Sequence, residues 1–207
     1  MARQPASFAR PQARFKPQPR VLVLCEDRKS SLIYLKEAVQ HFRAQAVVEV
    51  VHCGKNDPKG IVAEAVRRQR AYDRVYCAID RDSDAKFDQA LSQAVAHPKI
   101  DVVVSYPCYE FWLLLHFRHS RKPYSQSGKF SAAAYAVKEL CAEDGMAGYD
   151  KGDTNGLFRK LLGRLPEARR RAVEVLQAAL NEGEMNPSTR LHELMAAFEL
   201  LGSPQPL

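Results

Sequence analysis

Between residues 20 and 106 the chain alternates four times between a short apolar run and an amphipathic segment, and no other feature constrains its fold as strongly. "RVLVLCE" at 20–26 is apolar on both strand faces, the mark of a central strand in a parallel sheet covered on two sides. "SSLIYLKEAVQHFRA" at 30–44 sets Leu32, Leu35, Val39 and Phe42 at helical spacing. "AVVEVVH" at 46–52 predicts a second strand, and "PKGIVAEAVRRQRAY" at 58–72 a helix with Pro58 in its first turn. "RVYCAID" at 74–80 predicts a third strand, "KFDQALSQAVAH" at 86–97 a helix and "IDVVVSY" at 100–106 a fourth strand. Parallel strands need crossover connections, so the expected fold is α/β: a doubly wound, Rossmann-like parallel sheet flanked by helices, with right-handed crossovers.

The remainder reads as helical. "PCYEFWLLLHF" at 107–117 starts with Pro107, a basic loop follows at 118–129, and a helix is expected near 130–142. A Gly-rich loop spans 144–156, Pro166 opens "PEARRRAVEVLQAALN", and Asn186-Pro187 reads as cap and first turn of a last helix ending near Leu201. Residues 1–19 hold four prolines, several basic residues and no acid, so they are expected to form a disordered arm. The expected organisation is this arm, an α/β core over 20–118, and a helical C-terminal extension over 119–207 packed on the core.

The third strand ends in "AIDRDSD", where an apolar run stops at Asp80, Asp82 and Asp84. Alternate side chains of a strand point the same way, so these acids repel one another unless water screens them or a cation neutralises them. Glu26 ends the first strand. Sites in open parallel sheets form outside the carboxyl ends of the strands, which puts Glu26, Asp80, Asp82 and Asp84 on one rim and favours a cation. An all-carboxylate set suits Mg²⁺ or Mn²⁺. A calcium-binding helix-loop-helix is excluded, because Ala85 stands where its loop needs Gly and Leu91 where it needs Glu. His116 and His119 lack partners at zinc spacing and are read as structural or surface residues. No G-x-G-x-x-G or Walker loop is present. Glu110 interrupts the apolar "CYEFWLLLHF", so it either lies on a solvent-facing stripe or is kept charged by a partner or a metal.

The formal charge of +7 permits a polyanionic partner such as DNA or RNA. The longest apolar run, "FWLLLHF", is too short to span a bilayer, and no apolar signal region opens the chain, so no membrane association is expected. Five scattered cysteines without a C-x-x-C pair suit reduced core thiols in the cytoplasm.

Together, "VLVLCE", "AIDRDSD", "YPCYEFWLLLHF" and "NPSTRLHEL" resemble the RloB-like proteins, small bacterial proteins with the Toprim fold of topoisomerases, primases and OLD-type nucleases. The resemblance runs from about Arg20 to Leu201. It implies a Toprim-like core with Glu26 as the first-motif acid, Asp80 and Asp82 as metal ligands, and Glu110 as a further site carboxylate. It also implies a role in anti-phage defence beside an ATPase partner. Two departures stand out: Asp27 replaces the Gly that usually follows the first Glu, and Ser30 and Ser31 stand where another acid is common.

An acid rim with Mg²⁺ suits phosphodiester hydrolysis of DNA, RNA or tRNA. Lys151 in "YDKGDTNG" is the candidate cation near the leaving oxygen, or else a surface lysine. Asp84 is a helper ligand or a helix cap. Ser188, Thr189 and Arg190 are candidate phosphate contacts at a helix start, or simple capping residues. Arg121, Lys122 and the basic runs offer phosphate contacts or solvated faces. Three rival readings remain: a catalytically degenerate binding subunit, a receiver-like Mg²⁺-binding signalling domain, and an Asp-nucleophile phosphatase. A homo-oligomer is left open.

Overall fold

The computed structural model describes residues 18–45, 47–81 and 87–203. Asp82, Asp84 and most of the expected N-terminal arm lie outside the described residues. The alternating part comprises β1 (Val21–Cys25), α1 (Ser30–His41), β2 (Val48–His52), α2 (Pro58–Arg68), β3 (Arg74–Asp80), α3 (Phe87–Val95) and β4 (Ile100–Tyr106). After it come α4 (Glu110–Leu114), α5 (Ala132–Cys141), α6 (Leu157–Leu161), α7 (Leu165–Glu182), β5 (Ser188–Thr189) and α8 (Leu191–Gly202). The strand order is β2-β1-β3-β4-β5; the first four are parallel and β5 runs antiparallel to β4. This is the expected α/β, Rossmann-like sheet flanked by helices, with a helical C-terminal part.

Alternation along the strands builds two cores. Val21, Val23 and Cys25 of β1 face one, with Tyr34, Leu35 and Ala38 of α1. Leu22 and Leu24 face the other, with Ile61 and Val62 of α2 and Phe87 and Ala90 of α3. Both strand faces of β1 are therefore dry, which is why its sequence carries no polar alternation. The first core also takes in all of α4 except Glu110, together with residues of α5, α6, α7 and α8. The helical part thus covers the α1 face of the sheet and leaves the other to α2 and α3.

Local chemistry sets several boundaries. The Asp57 carboxylate accepts from Gly60 N at 2.9 Å, and Pro58 fills the first turn of α2. A Cβ on Gly60 would lie 2.6 Å from that carboxylate. α1 stops at His41, three residues before its predicted end, because Arg43 turns the chain with a left-handed φ of 59°. At the far end of the chain, a Cβ on Gly202 would lie 1.6 Å from the carbonyl oxygen of Phe42. Gly202→Ala is therefore expected to push the end of α8 off α1 and lower stability by ~1–3 kcal/mol, readable as a lower urea midpoint at unchanged slope.

The reading of "NPSTR" as a helix start is corrected. Asn186-Pro187 is a cis peptide, Ser188 and Thr189 pair with Tyr106 and Ser105 of β4, and the last helix opens only at Leu191. Asn186 does not cap that helix; its amide bridges to Tyr124 N at 3.2 Å and Tyr124 O at 2.6 Å. α6 lies in a stretch that carried no helix signal, since five residues span little more than one turn.

The two histidines are structural and surface residues, as expected. His119 is exposed, whereas His116 is buried between Tyr34 OH (3.2 Å) and Trp112 O (3.1 Å). Burial lowers the His116 pKa from 6.5 to about 4, so the folded state keeps it neutral while the unfolded chain protonates. Its contribution is intact above pH 6.5 and is lost as pH falls towards 4, by about 3 kcal/mol in all. His116→Gln is expected to flatten that part of the stability–pH curve, measured by urea unfolding from pH 4 to 7.

Candidate functional site

β1 sends its crossover to β2 on one side while β3 pairs on its other side, so the chain reverses its winding between β1 and β3. A crevice opens at the carboxyl ends of two strands at such a switch point. Glu26 follows β1 directly and Asp80 ends β3, and both meet there: Asp80 N donates to Glu26 Oε2 at 2.8 Å. Strand alternation turns Asp80 to the same sheet face as Ala78, towards α4 and the C-terminal helices.

From that side α4 brings Glu110, which has no exposed surface. Its Oε1 accepts from Tyr149 OH and from Lys151 Nζ, each at 2.9 Å, and its Oε2 is buried without a hydrogen-bond partner. The expectation for Glu110 thus resolves against a solvent stripe; it is a buried acid held by an ammonium and a phenol. Burial, then the charges of Glu110 and Glu26, hold the Asp80 carboxyl well above the usual carboxylate range, with Lys151 opposing. Burial alone would lower the Lys151 pKa; the Glu110 charge and hydrogen bond outweigh it and raise the pKa. Burial and Glu110 also raise the Tyr149 phenol, which therefore stays a hydrogen-bond donor at all physiological pH.

Asp27 is taken up by the first turn of α1. Its Oδ1 accepts from Lys29 N (2.6 Å) and Ser30 N (2.9 Å), and its Oδ2 from Ser30 Oγ and Ser31 N (both 2.7 Å). Burial pushes its pKa up, but these amide and hydroxyl donors at the start of α1 win and hold it below the usual value. The departure Asp27 thus explains the departures Ser30 and Ser31: together they close the first turn of α1 beside the crevice.

The crevice is lined by Glu26, Asp27, Asp80, Ser105, Tyr109 and Leu191 among others, with a volume of about 10 Å³. That is room for about one water-sized sphere. Larger cavities, about 580 Å³ between α3, β4 and α7 and about 420 Å³ beside α1 and α6, contain none of Glu26, Asp80 and Glu110. Among the described residues, no group of three or more His, Cys, Asp or Glu side chains is close enough to hold a metal ion. Glu26, Asp80 and Glu110 therefore interact through charge without forming a closed ligand shell.

The remaining candidates divide by position. Ser188 and Thr189 are buried in β5; Thr189 Oγ1 meets Ser105 Oγ at 2.9 Å, and Ser105 pairs with Asp80 across β3 and β4. Arg190 turns away from the crevice, bonding Val102 O at 2.9 Å and Glu193 at 2.6 Å. Arg121 is spent on Pro187 O (2.7 Å) and Glu182 (2.5 Å), and Lys122 is exposed beside Glu139 at 3.4 Å. Of the residues named from sequence and described here, Glu26, Asp80, Glu110 and Lys151 come together. Tyr149 and Tyr109 were missed. Tyr149 stands two residues before Lys151, and that spacing was its only sequence signal.

The family model for RloB-like proteins matches residues 21–198. No curated protein and no solved structure matches the chain.

Proposed function

The chain belongs to the RloB-like family, and on that premise we propose that it is a Mg²⁺- or Mn²⁺-dependent nuclease of the Toprim type, the effector of an anti-phage defence system that works with an ATPase. The observation that carries this reading is the buried Glu110–Lys151–Tyr149 cluster facing Asp80 and Glu26 at the switch point. Burying an acid, leaving one of its oxygens unpaired and crowding a second acid against it costs stability, and such strain is characteristic of functional sites.

Of the crevice's lining, Glu26 and Asp80 offer carboxylate oxygens, the donors a hard divalent cation takes, and the crevice admits one small sphere. Glu26 and Asp80 would hold the cation; the sequence adds Asp82 as a ligand and Asp84 as a helper, both outside the described residues. When bound, it would activate water and neutralise charge on the scissile phosphate. Glu26, hydrogen-bonded to the Asp80 amide, keeps one carboxylate oxygen in fixed register with the end of β3. Lys151 supplies positive charge from a side chain that is 51% exposed and within reach of a phosphate outside the crevice. Ser105 and Thr189 lock the β4 edge next to Asp80.

The test is cleavage of duplex DNA, single strands and tRNA by the full chain, alone and with its ATPase, in Mg²⁺, Mn²⁺ or EDTA. Metal-dependent cleavage is expected, reduced at least 100-fold by Glu26→Gln, since that change weakens a ligand without altering side-chain volume. Cleavage that persists in EDTA, or that Glu26→Gln leaves intact, would sink the reading.

A further inference from the structure

We propose that the groove between α3 and α7 is a dimer interface, in which the exposed face of α7 of each copy packs across a two-fold axis against α3 of the other. The proposal stands independently of the metal-site reading.

α7 carries two apolar stripes. Leu165, Ala168, Ala172 and Val175 are buried in the first core. Val173, Leu176 and Leu180 repeat at i, i+3 and i+7, about a quarter-turn further round the helix. Val173 is 52% exposed and Leu180 60%. A helix face that stays in water needs no such repeat, which is the spacing of a helix-packing seam.

Beside this stripe runs the groove of about 580 Å³. Leu91 and Val95 of α3 form one wall, Val102 and Val104 of β4 the floor, and Leu176 and Leu180 of α7 the other wall. Val95 is 85% exposed at its rim. Of the five large apolar side chains exposed among the described residues, Val95 and Leu180 line the groove and Val173 extends it along α7. Such clustering marks an interaction surface, where scattered single residues would not.

Charge selects the occupant. In a chain that is 27% charged, residues 89–95 of α3 and 175–181 of α7 contain no Asp, Glu, Lys or Arg. Loss of charge is the compositional mark of an interface core. The charged residues of the lining are neutralised within the chain: Asp101 pairs with Arg74 at 2.5 Å, and Arg190 with Glu193 at 2.6 Å. The groove therefore offers no unpaired cation to a polyanion. A second copy is different, because near a two-fold axis each charge meets its own duplicate, so the shared face must be neutral. In a chain of net charge +7, this face meets that condition. Gln177 and Asn181, hydrogen-bonded to each other at 3.1 Å, give it an uncharged polar rim. Ridge and groove lie side by side, so one rotation seats both ridges and sets Leu180 of each copy against Val95 of the other.

The test is sedimentation equilibrium of the full chain, which is expected to run at twice its 23.3 kDa with a Kd of about 1 µM or tighter. Leu180→Lys and Val95→Glu each put a charge into the interface and are expected to weaken the dimer at least 100-fold. Both positions are exposed in the single chain, so helix content by circular dichroism is expected to stay unchanged. Phe130→Lys, at a 57% exposed apolar residue outside the groove, is expected to leave the dimer intact. Mixing the Leu180→Lys and Val95→Glu chains is expected to restore a dimer, since one crossing then holds a Lys–Glu pair and the other the original Leu–Val contact. A full chain that stays monomeric at about 100 µM, a dimer that survives both substitutions, or a mixture that stays monomeric would overturn the proposal.

Discussion

Asp80→Asn should give a protein that is more stable than the original at neutral pH and unable to cut nucleic acid. The raised carboxyl of Asp80 fixes the sign. Between its ordinary value of 3.8 and the raised one, the folded state binds a proton that the unfolded chain has released. The protein therefore loses stability as pH rises through that window, and bears the full penalty above it. An asparagine removes the charge that Glu110 and Glu26 oppose and keeps the size of the side chain. A gain of about 1–2 kcal/mol is expected near pH 7, with a flatter stability–pH curve above pH 4. Added Mg²⁺ should raise the melting temperature of the original chain and leave the variant unmoved. Loss of metal-dependent cleavage should reach at least 100-fold. A variant less stable than the original at pH 7 would mean that Asp80 is a structural partner, not a strained ligand.

The second large effect concerns the ion pair in the metal-free protein. Lys151→Met leaves Glu110 buried with the Tyr149 hydroxyl and the Cys108 thiol against it and no cation to balance its charge. Breaking a buried pair by removing one partner costs ~3–5 kcal/mol, and the half-exposed lysine brings that down to about 2 kcal/mol. In a chain of this size that is a fall in melting temperature of roughly 4–8 °C. Glu110→Gln should cost much less, because it removes the charge that needs a partner. With Gln at 110, Lys151→Met should become nearly silent. A double-mutant cycle in EDTA reads the coupling directly; additive effects would show that the two side chains act independently.

The legible part of the fold was the part written in periodicity. β1 is dry on both faces and β3 and β4 carry long apolar runs, so their limits come out of the sequence almost residue for residue. β5 has two polar residues and no alternation to display; only its ladder with Ser105 and Tyr106 makes it a strand. "NPSTR" misled for a physical reason: Asn-Pro serves a helix start or a tight turn equally well, and what decides is Tyr124, 62 residues away, which binds Asn186.

The site divides in the same manner. Glu26 and Asp80 were legible because strand ends of a parallel sheet gather at one edge. Glu110 was visible as an anomaly, an acid inside an apolar run, but what neutralises it was not. Its partner Tyr149 lies 39 residues further on, in a loop whose path is set by Glu37 of α1 and by Lys29 just before that helix. Asp27 stood out only as a departure from the family pattern, and its role as a cap appeared only with the amides of Lys29, Ser30 and Ser31 around it.

The most direct measurement is calorimetric titration of Mn²⁺ into the full chain and into its Asp80→Asn variant at pH 7.5. Saturable binding by the original chain and at least tenfold weaker binding by the variant are expected. Equal affinity in both, or no heat in either, would contradict a cation site at the β1–β3 switch point.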